Sequence, residues 1–218
     1  MLYIVSTPIG NLDDITIRAL DILKKVDLVL AEDTRVSKKL FDRYDIKTRL
    51  VSWHQHSQLA DFSKLKKYFE DNKDIALITD AGTPGISDPG GKLIELVLEN
   101  FPDTKIVPIP GASALTALVS VAGIAMDKFL FLGFLPHKKG RQTLIEEIKA
   151  SKIPVVFFES VHRIDKALTA LSDCDKDLIV GRELTKQFET IYRGKAKDVL
   201  EQIKADKVKG EFVIIVNK

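Results

Sequence analysis

Short apolar, β-branched runs alternate with helical patterns through the first half of the sequence, and this alternation restricts the fold more than any other feature. LYIV (2–5) precedes TIRALDILKKV (16–26), LVLA (28–31) precedes a charged helix near 35–43, and RLVSW (49–53) precedes an amphipathic helix over about 57–72. IALIT (75–79) precedes KLIELVLENF (92–101), and KIVPI (105–109) precedes ASALTALVSVAG (112–123). Strands that are apolar throughout and separated by helices form a largely parallel sheet covered on both faces. Ligands of such sheets sit beyond the carboxyl ends of the strands.

After Gly123 the rhythm changes. FLFLGFLP (129–136), a helix near 140–151, IPVVFFES (153–160) and a helix near 161–172 lead into DLIVGREL (177–184) and KQFETIYRG (186–194), which are close enough to pair as an antiparallel hairpin. A helix near 195–205 and a terminal strand EFVIIVN (211–217) complete a mixed α/β unit. The expected organisation is an N-terminal α/β domain over 1–111 and a C-terminal mixed domain over 112–218, the boundary falling within about 111–125.

With 218 residues, 45% of them hydrophobic, the chain can bury a sizeable core. Lys and Arg total 33 against 31 acidic residues, so the formal charge of +2 supplies no global field for nucleic acid, and any basic site must be local. Cys174 is a single cysteine, which excludes an intrachain disulfide, argues against a zinc ribbon and fits a reducing cytoplasm. The start, MLYIVSTPIG, has no basic n-region and reads as a strand rather than a signal peptide. The small-residue stretch 112–126 is interrupted by Ser113, Thr116, Ser120 and Gly123 and is too short to span a bilayer.

Four Gly/Pro-containing loops follow expected strands: STPIGNLDD (6–14), DAGTPGISDPG (80–90), PIPGASA (108–114) and GFLPHKKGR (133–141). The first three would share one rim if their strands run parallel. The second is almost free of bulky side chains except Ile86, and its glycines permit positive φ and close approach of a ligand to the backbone. None matches GxxxxGK[ST], and no GxGxxG opens a helix after the first strand, which counts against kinase, ATPase and NAD-dependent readings.

Together VSTPIGNLDDITIRAL (5–20), AEDTR (31–35), His54 with His56, ITDAGTPGISDPG (78–90), VPIPGASALTAL (107–118), GFLP (133–136), FFESVHR (157–163) and GRELTKQFE (181–189) resemble the tetrapyrrole-methylase-like class of S-adenosylmethionine-dependent methyltransferases. Within that class they are most similar to enzymes that methylate a cytidine 2′-hydroxyl of small-subunit ribosomal RNA. The resemblance spans nearly the whole chain. It implies two α/β domains with the methyl donor in a cleft between them and a homodimer; methyl transfer from S-adenosylmethionine to a hydroxyl does not itself require a metal. It further implies that Pro8, Gly82, Thr83 and Ile86 face the donor, that Ala112, Ser113 and Ala114 hold another part of it, and that Phe158, Arg182 and Leu184 lie near its adenine. The family pattern usually reads ESPHR where this chain has ESVHR, with Val161 in place of proline, and commonly continues past the last strand, whereas this sequence ends at VIIVNK.

Methyl transfer to a ribose hydroxyl needs alignment and a proton acceptor, the latter typically contributing ~10²–10⁴-fold. Glu32, Asp33 and Arg35 are candidates at the end of strand 28–31; the alternative is a helix N-terminus, where acidic residues favour the dipole. Glu159, His162 and Arg163 follow an apolar strand, with Ser160 as a helix cap and an architectural ion pair as the alternative. Arg182, Glu183 and Lys186 cluster at a strand turn, either as a solvated tip or as a site. Lys186 serves as a base only if its pKa is depressed. His54 and His56 lack the carboxylate arrangement of a metal site.

RNA contact is expected from Lys138, Lys139 and Arg141 in the HKKGR loop. Further cations stand at Arg35, Lys38 and Lys39 and at Lys64, Lys66 and Lys67, and Trp53, His54 and His56 could stack on an unpaired base. Two other functions remain open at this point: methylation of a precorrin-type tetrapyrrole, and a non-catalytic protein that binds RNA or a nucleotide-like metabolite.

Overall fold

Short runs of three or four mostly apolar residues build the first sheet. The computed structural model describes residues 1–53, 59–88, 90–206 and 209–218. The chain divides into two compact units, Met1–Ser113 and Ala114–Lys218.

In the first unit the elements run β1 (Leu2–Val5), α1 (Ile17–Lys25), β2 (Leu28–Ala31), α2 (Thr34–Arg43), β3 (Leu50–Ser52), α3 (Leu59–Glu70), β4 (Ile75–Ile78), α4 (Gly90–Asn100) and β5 (Ile106–Ile109). The strand order is β3-β2-β4-β1-β5 and every pairing is parallel, with Leu2 opposite both Ile75 and Ile106 and Val29 opposite Leu50. Alternate strand residues feed two cores, one on each face. Val5, Val29, Ala31 and Ile78 pack with Leu23 of α1 and Phe41 of α2, while Leu2, Leu28, Leu30 and Leu77 pack with Phe62 of α3 and Leu93 of α4. Two-sided burial explains why β2 and β4 carry no polar face. Thr16 caps α1 by accepting the Ala19 amide at 3.1 Å, and Lys24 and Lys25 complement its carboxyl end.

The second unit begins with the short α5 (Ala114–Ser120), ended by tight turns in which Val121 and Ala122 donate to Leu118 and Val119. The helix is therefore shorter than the expected 112–123 run, and Gly123, beyond those turns, adopts φ +73°. Then follow β6 (Leu130–Phe134), α6 (Arg141–Ala150), β7 (Val155–Ser160), α7 (Ile164–Ala170), β8 (Asp177–Arg182), β9 (Thr190–Lys195), α8 (Ala196–Ala205) and β10 (Glu211–Val216). The sheet order is β6-β7-β10-β8-β9. β6 and β7 are parallel, β10 is antiparallel to both of its neighbours, and β8 with β9 forms the expected hairpin. β6, β7 and β8 therefore run in the same direction, so the segments after them leave the same edge. The expected α/β class, a parallel sheet followed by a mixed one, is the observed architecture. Among the described residues no helix is long and apolar enough to cross a membrane.

Candidate functional site

Because the first sheet is parallel throughout, the loops after all five of its strands emerge at one edge. Three of them are tied together. Thr7 and Gly82 exchange backbone hydrogen bonds at 2.9 and 3.1 Å, and the Thr7 hydroxyl donates to the Thr79 carbonyl at 3.0 Å. The hydroxyls of Ser6 and Thr83 lie 2.9 Å apart, and Thr83 Oγ1 donates onward to the Ala112 carbonyl at 3.2 Å. The absence of side chains is what lets these loops meet. A Cβ on Gly111 would come within 2.9 Å of Ser6 Cβ, and Gly82 adopts φ +86° with Ile9 and Ala112 close by. The result is a rim of backbone amides, carbonyls and small hydroxyls, with Thr83, Ile86, Ala112 and Ser113 partly exposed and Pro8 buried beneath.

The far side of the same loop is held by Asp88, whose Oδ1 accepts the amides of both Gly85 and Gly90. A Cβ on Gly90 would stand 2.6 Å from Gly85 N and 3.0 Å from Pro84 C, backbone atoms that cannot swing aside. The Gly90→Ala protein is therefore expected to be less stable by about 1–3 kcal/mol, the usual scale of overpacking. A thermal melt superimposable on wild type would show that the loop opens freely.

Next along the edge lies a group of acids. Asp33 is the N-cap of α2, accepting the Arg35 amide at 2.8 Å, and its carboxylate also pairs with the Arg35 guanidinium at 2.6 Å. Those bonds from Arg35 hold the Asp33 carboxyl down at about 2. Cap and cluster are thus one residue, so the dipole alternative for AEDTR is part of the structure. Glu32 accepts the Thr79 hydroxyl at 2.8 Å. Asp80, at the start of the glycine loop, accepts the Asp33 amide at 2.9 Å. Partial burial pushes the Asp80 carboxyl up, against the pull of that amide, and the charges of Glu32 and Asp33 add to the rise. Sequence reasoning passed over Asp80. Its signal was its place as the second residue beyond an apolar strand; only the β2–β4 pairing, which ends with Ala31 opposite Ile78, brings it beside Asp33.

At the corresponding edge of the second sheet, Glu159 is fully buried between Arg141 and Arg163. Ser160 does not cap α7 as envisaged. It is the last residue of β7, and its hydroxyl accepts Arg163 Nε at 3.3 Å. Lys186 pairs with Glu183 at 2.9 Å and with Glu211 at 3.0 Å. Burial alone would lower the Lys186 ammonium, but those two hydrogen bonds raise it above its ordinary value. The condition for Lys186 as a neutral-pH base is therefore not met. Arg182 donates to the Lys209 carbonyl at 2.9 Å and to the Tyr192 hydroxyl at 3.3 Å, Leu184 is buried, and Phe158 stacks edge-on with Phe131 and Phe134.

Of the expected RNA contacts, Lys138 and Lys139 are exposed, as are Lys38 and Lys39. Trp53 is not available for stacking: at 2% exposure it belongs to the core with Phe62 and Leu30, because its large apolar surface is worth more buried there. His54 and His56 lie outside the described residues. Arg141 opens α6 rather than sitting free in the loop, and its guanidinium is committed to Glu159 and to the Pro136 carbonyl. Among the described residues no group of His, Cys, Asp or Glu is arranged to hold a metal ion.

The chain is 42% identical over 222 residues to a Bacillus subtilis protein named ribosomal RNA small subunit methyltransferase I, covering 99% of this chain and 74% of that one. Proteins of the same name from Leptospira biflexa and Thermotoga maritima are 40% and 39% identical, covering 100% and 99% of this chain and 90% and 97% of theirs. Among solved structures, a cobalt precorrin-4 methyltransferase superposes with a TM-score of 0.70 at 19% identity, covering 99% of this chain and 94% of that one. A uroporphyrin III C-methyltransferase from Thermus thermophilus gives 0.65 at 16% identity, covering 100% and 97%. At such identities the likeness is one of fold. The family described as tetrapyrrole (corrin/porphyrin) methylases matches residues 1–200, more than half of the sequence, and the chain belongs to that family.

Proposed function

We propose that this protein methylates small-subunit ribosomal RNA, taking the methyl group from S-adenosylmethionine and placing it on a cytidine ribose 2′-hydroxyl. The observation that carries this reading is the similarity, over nearly the whole of this chain, to proteins named for small-subunit ribosomal RNA methylation. The rim formed by the loops at 6–8, 79–86 and 110–113 suits a donor that carries an amino acid, a ribose and an adenine. At Gly111 a side chain would collide with Ser6, and Gly82 holds a positive φ, so these loops meet through backbone and small hydroxyls rather than bulky side chains. In this reading Gly82, Thr83, Ile86, Ala112 and Ser113 hold the donor, and when bound it supplies a sulfonium methyl for in-line displacement. The protein's own tasks are then to align the hydroxyl and accept its proton. We assign the proton to Asp80. Asp33 is tied to Arg35 and too acidic, whereas burial raises the Asp80 carboxyl and Asp80 directly precedes the donor loop.

The test is transfer of labelled methyl into immature small subunits and, in parallel, into a precorrin, followed by mass-spectrometric mapping of ribose methylation. Label confined to RNA and located on a ribose oxygen is the expected result. Label only in the tetrapyrrole would replace this reading with the chemistry named for the solved structures. Donor binding without turnover on either substrate would make the protein a binder.

A further inference from the structure

Burying a carboxylate without compensation is costly, yet Glu159 on β7 is fully buried. Two guanidiniums from different segments meet it. Arg141 Nη2 lies 2.9 Å from Oε2, and Arg163 Nε lies 2.8 Å from Oε1, which also accepts the Ser160 amide at 2.8 Å. Each arginine also grips the backbone of the segment that follows β6. Arg163 Nη1 donates to the Leu135 carbonyl at 2.8 Å, and Arg141 Nη1 donates to the Pro136 carbonyl at 3.2 Å.

The loop is thus fastened at 135–136 and again at Arg141, whose amide donates to the Lys138 carbonyl at 3.3 Å beyond a left-handed Gly140. Between the fastenings project His137, Lys138 and Lys139, all exposed, and neither lysine has an ion-pair partner among the described residues. One carboxylate serves two guanidiniums, so the assembly keeps a surplus positive charge beneath the lysines. An ordered loop of this kind loses less conformational entropy on binding than a free one.

We infer that Glu159 is a positioning residue, which through Arg141 and Arg163 sets the 135–141 loop so that Lys138 and Lys139 meet phosphates of the RNA substrate. The inference rests on the RNA reading above. It replaces a catalytic role for Glu159 and Arg163 with an architectural one that acts on substrate affinity.

The experiment is a double-mutant cycle on binding of a labelled small-subunit RNA fragment, measured against salt concentration, with donor affinity and thermal melting followed in parallel. Lys138→Gln with Lys139→Gln leaves the Glu159 assembly untouched. It is expected to weaken RNA binding about tenfold and to make the salt slope shallower by about 1.4, the release expected from two single-strand phosphate contacts. Donor affinity and melting should not move. Glu159→Gln in the wild-type background should weaken RNA binding by a similar factor, and in the lysine-free background by almost nothing. Should Glu159→Gln fold poorly, Arg141→Lys retains a cation beside Glu159 but shortens the reach to Pro136, and the same non-additivity is expected.

Equal losses in both backgrounds, or a salt slope unchanged by removal of the lysines, would overturn the inference while leaving RNA methylation by the wild-type protein intact. A wild-type protein that neither binds nor methylates RNA would instead refute the proposed function, and the inference with it.

Discussion

The Gly82→Val protein should fold with reduced stability and bind S-adenosylmethionine at least about 100-fold more weakly than wild type. The amide and the carbonyl of Gly82 are both engaged by Thr7, so its φ of +86° cannot relax without breaking the bridge that joins two loops of the rim. A β-branched residue in that region stores roughly 1–3 kcal/mol of strain. Its Cβ would start 3.4 Å from Ile9 and 3.7 Å from the Ala112 carbonyl, and the two further methyl groups would wedge the 6–9 and 110–113 segments apart. Strain alone lowers the melting temperature. Loss of donor affinity in protein that is still folded requires that the rim itself be the donor site. Calorimetry on folded mutant with unchanged affinity would remove the rim from donor binding.

The second large effect is expected at Asp80, and there activity and stability should move in opposite directions. Asp80→Asn keeps an oxygen to accept the Asp33 amide but removes the charge that lies beside Glu32 and Asp33. A carboxyl whose folded pKa is raised contributes stability below its unfolded pKa and loses it as pH rises through the folded value. Once pH exceeds the folded value wild type has given up that contribution, and the amide should restore it, raising the melting temperature by about 1–3 °C. The gain should fade as pH falls into the ordinary carboxylate range. Turnover should drop about 10²-fold or more if Asp80 accepts the hydroxyl proton, with the acidic limb of the pH–rate profile lost and donor affinity retained. Unchanged turnover with the acidic limb intact would assign the proton elsewhere.

Much of the architecture was legible because its cause is local. LVLA and IALI are apolar throughout, since both faces of a parallel strand are covered, and β2 and β4 are fully buried. The close spacing of 177–184 and 186–194 admitted little besides a hairpin, and β8 pairs antiparallel with β9. Helix limits were less sharp. α5 stops at Ser120, where Val121 and Ala122 turn back onto Leu118 and Val119, and the small-residue run up to Gly123 does not mark that end.

Side-chain availability was harder to read. Trp53 beside two histidines has the composition of a stacking site, yet burial in the core satisfies an indole equally well, and composition carries no sign of which. Arg141 within HKKGR looks like one more loop cation until Glu159, 18 positions away, claims it.

Taken alone, the sequence determined the α/β class, the order of strands and helices, and the glycine-proline loops at strand ends, because hydrophobic period and turn chemistry are written in neighbouring residues. Only the tertiary structure decided which charges meet. Asp80 and Asp33 stand 47 positions apart and become neighbours because β2 and β4 pair in parallel. Whether a carboxylate is a cap, an anchor or a proton acceptor depends on the burial and partners that pairing supplies, and residue spacing along the chain does not encode them.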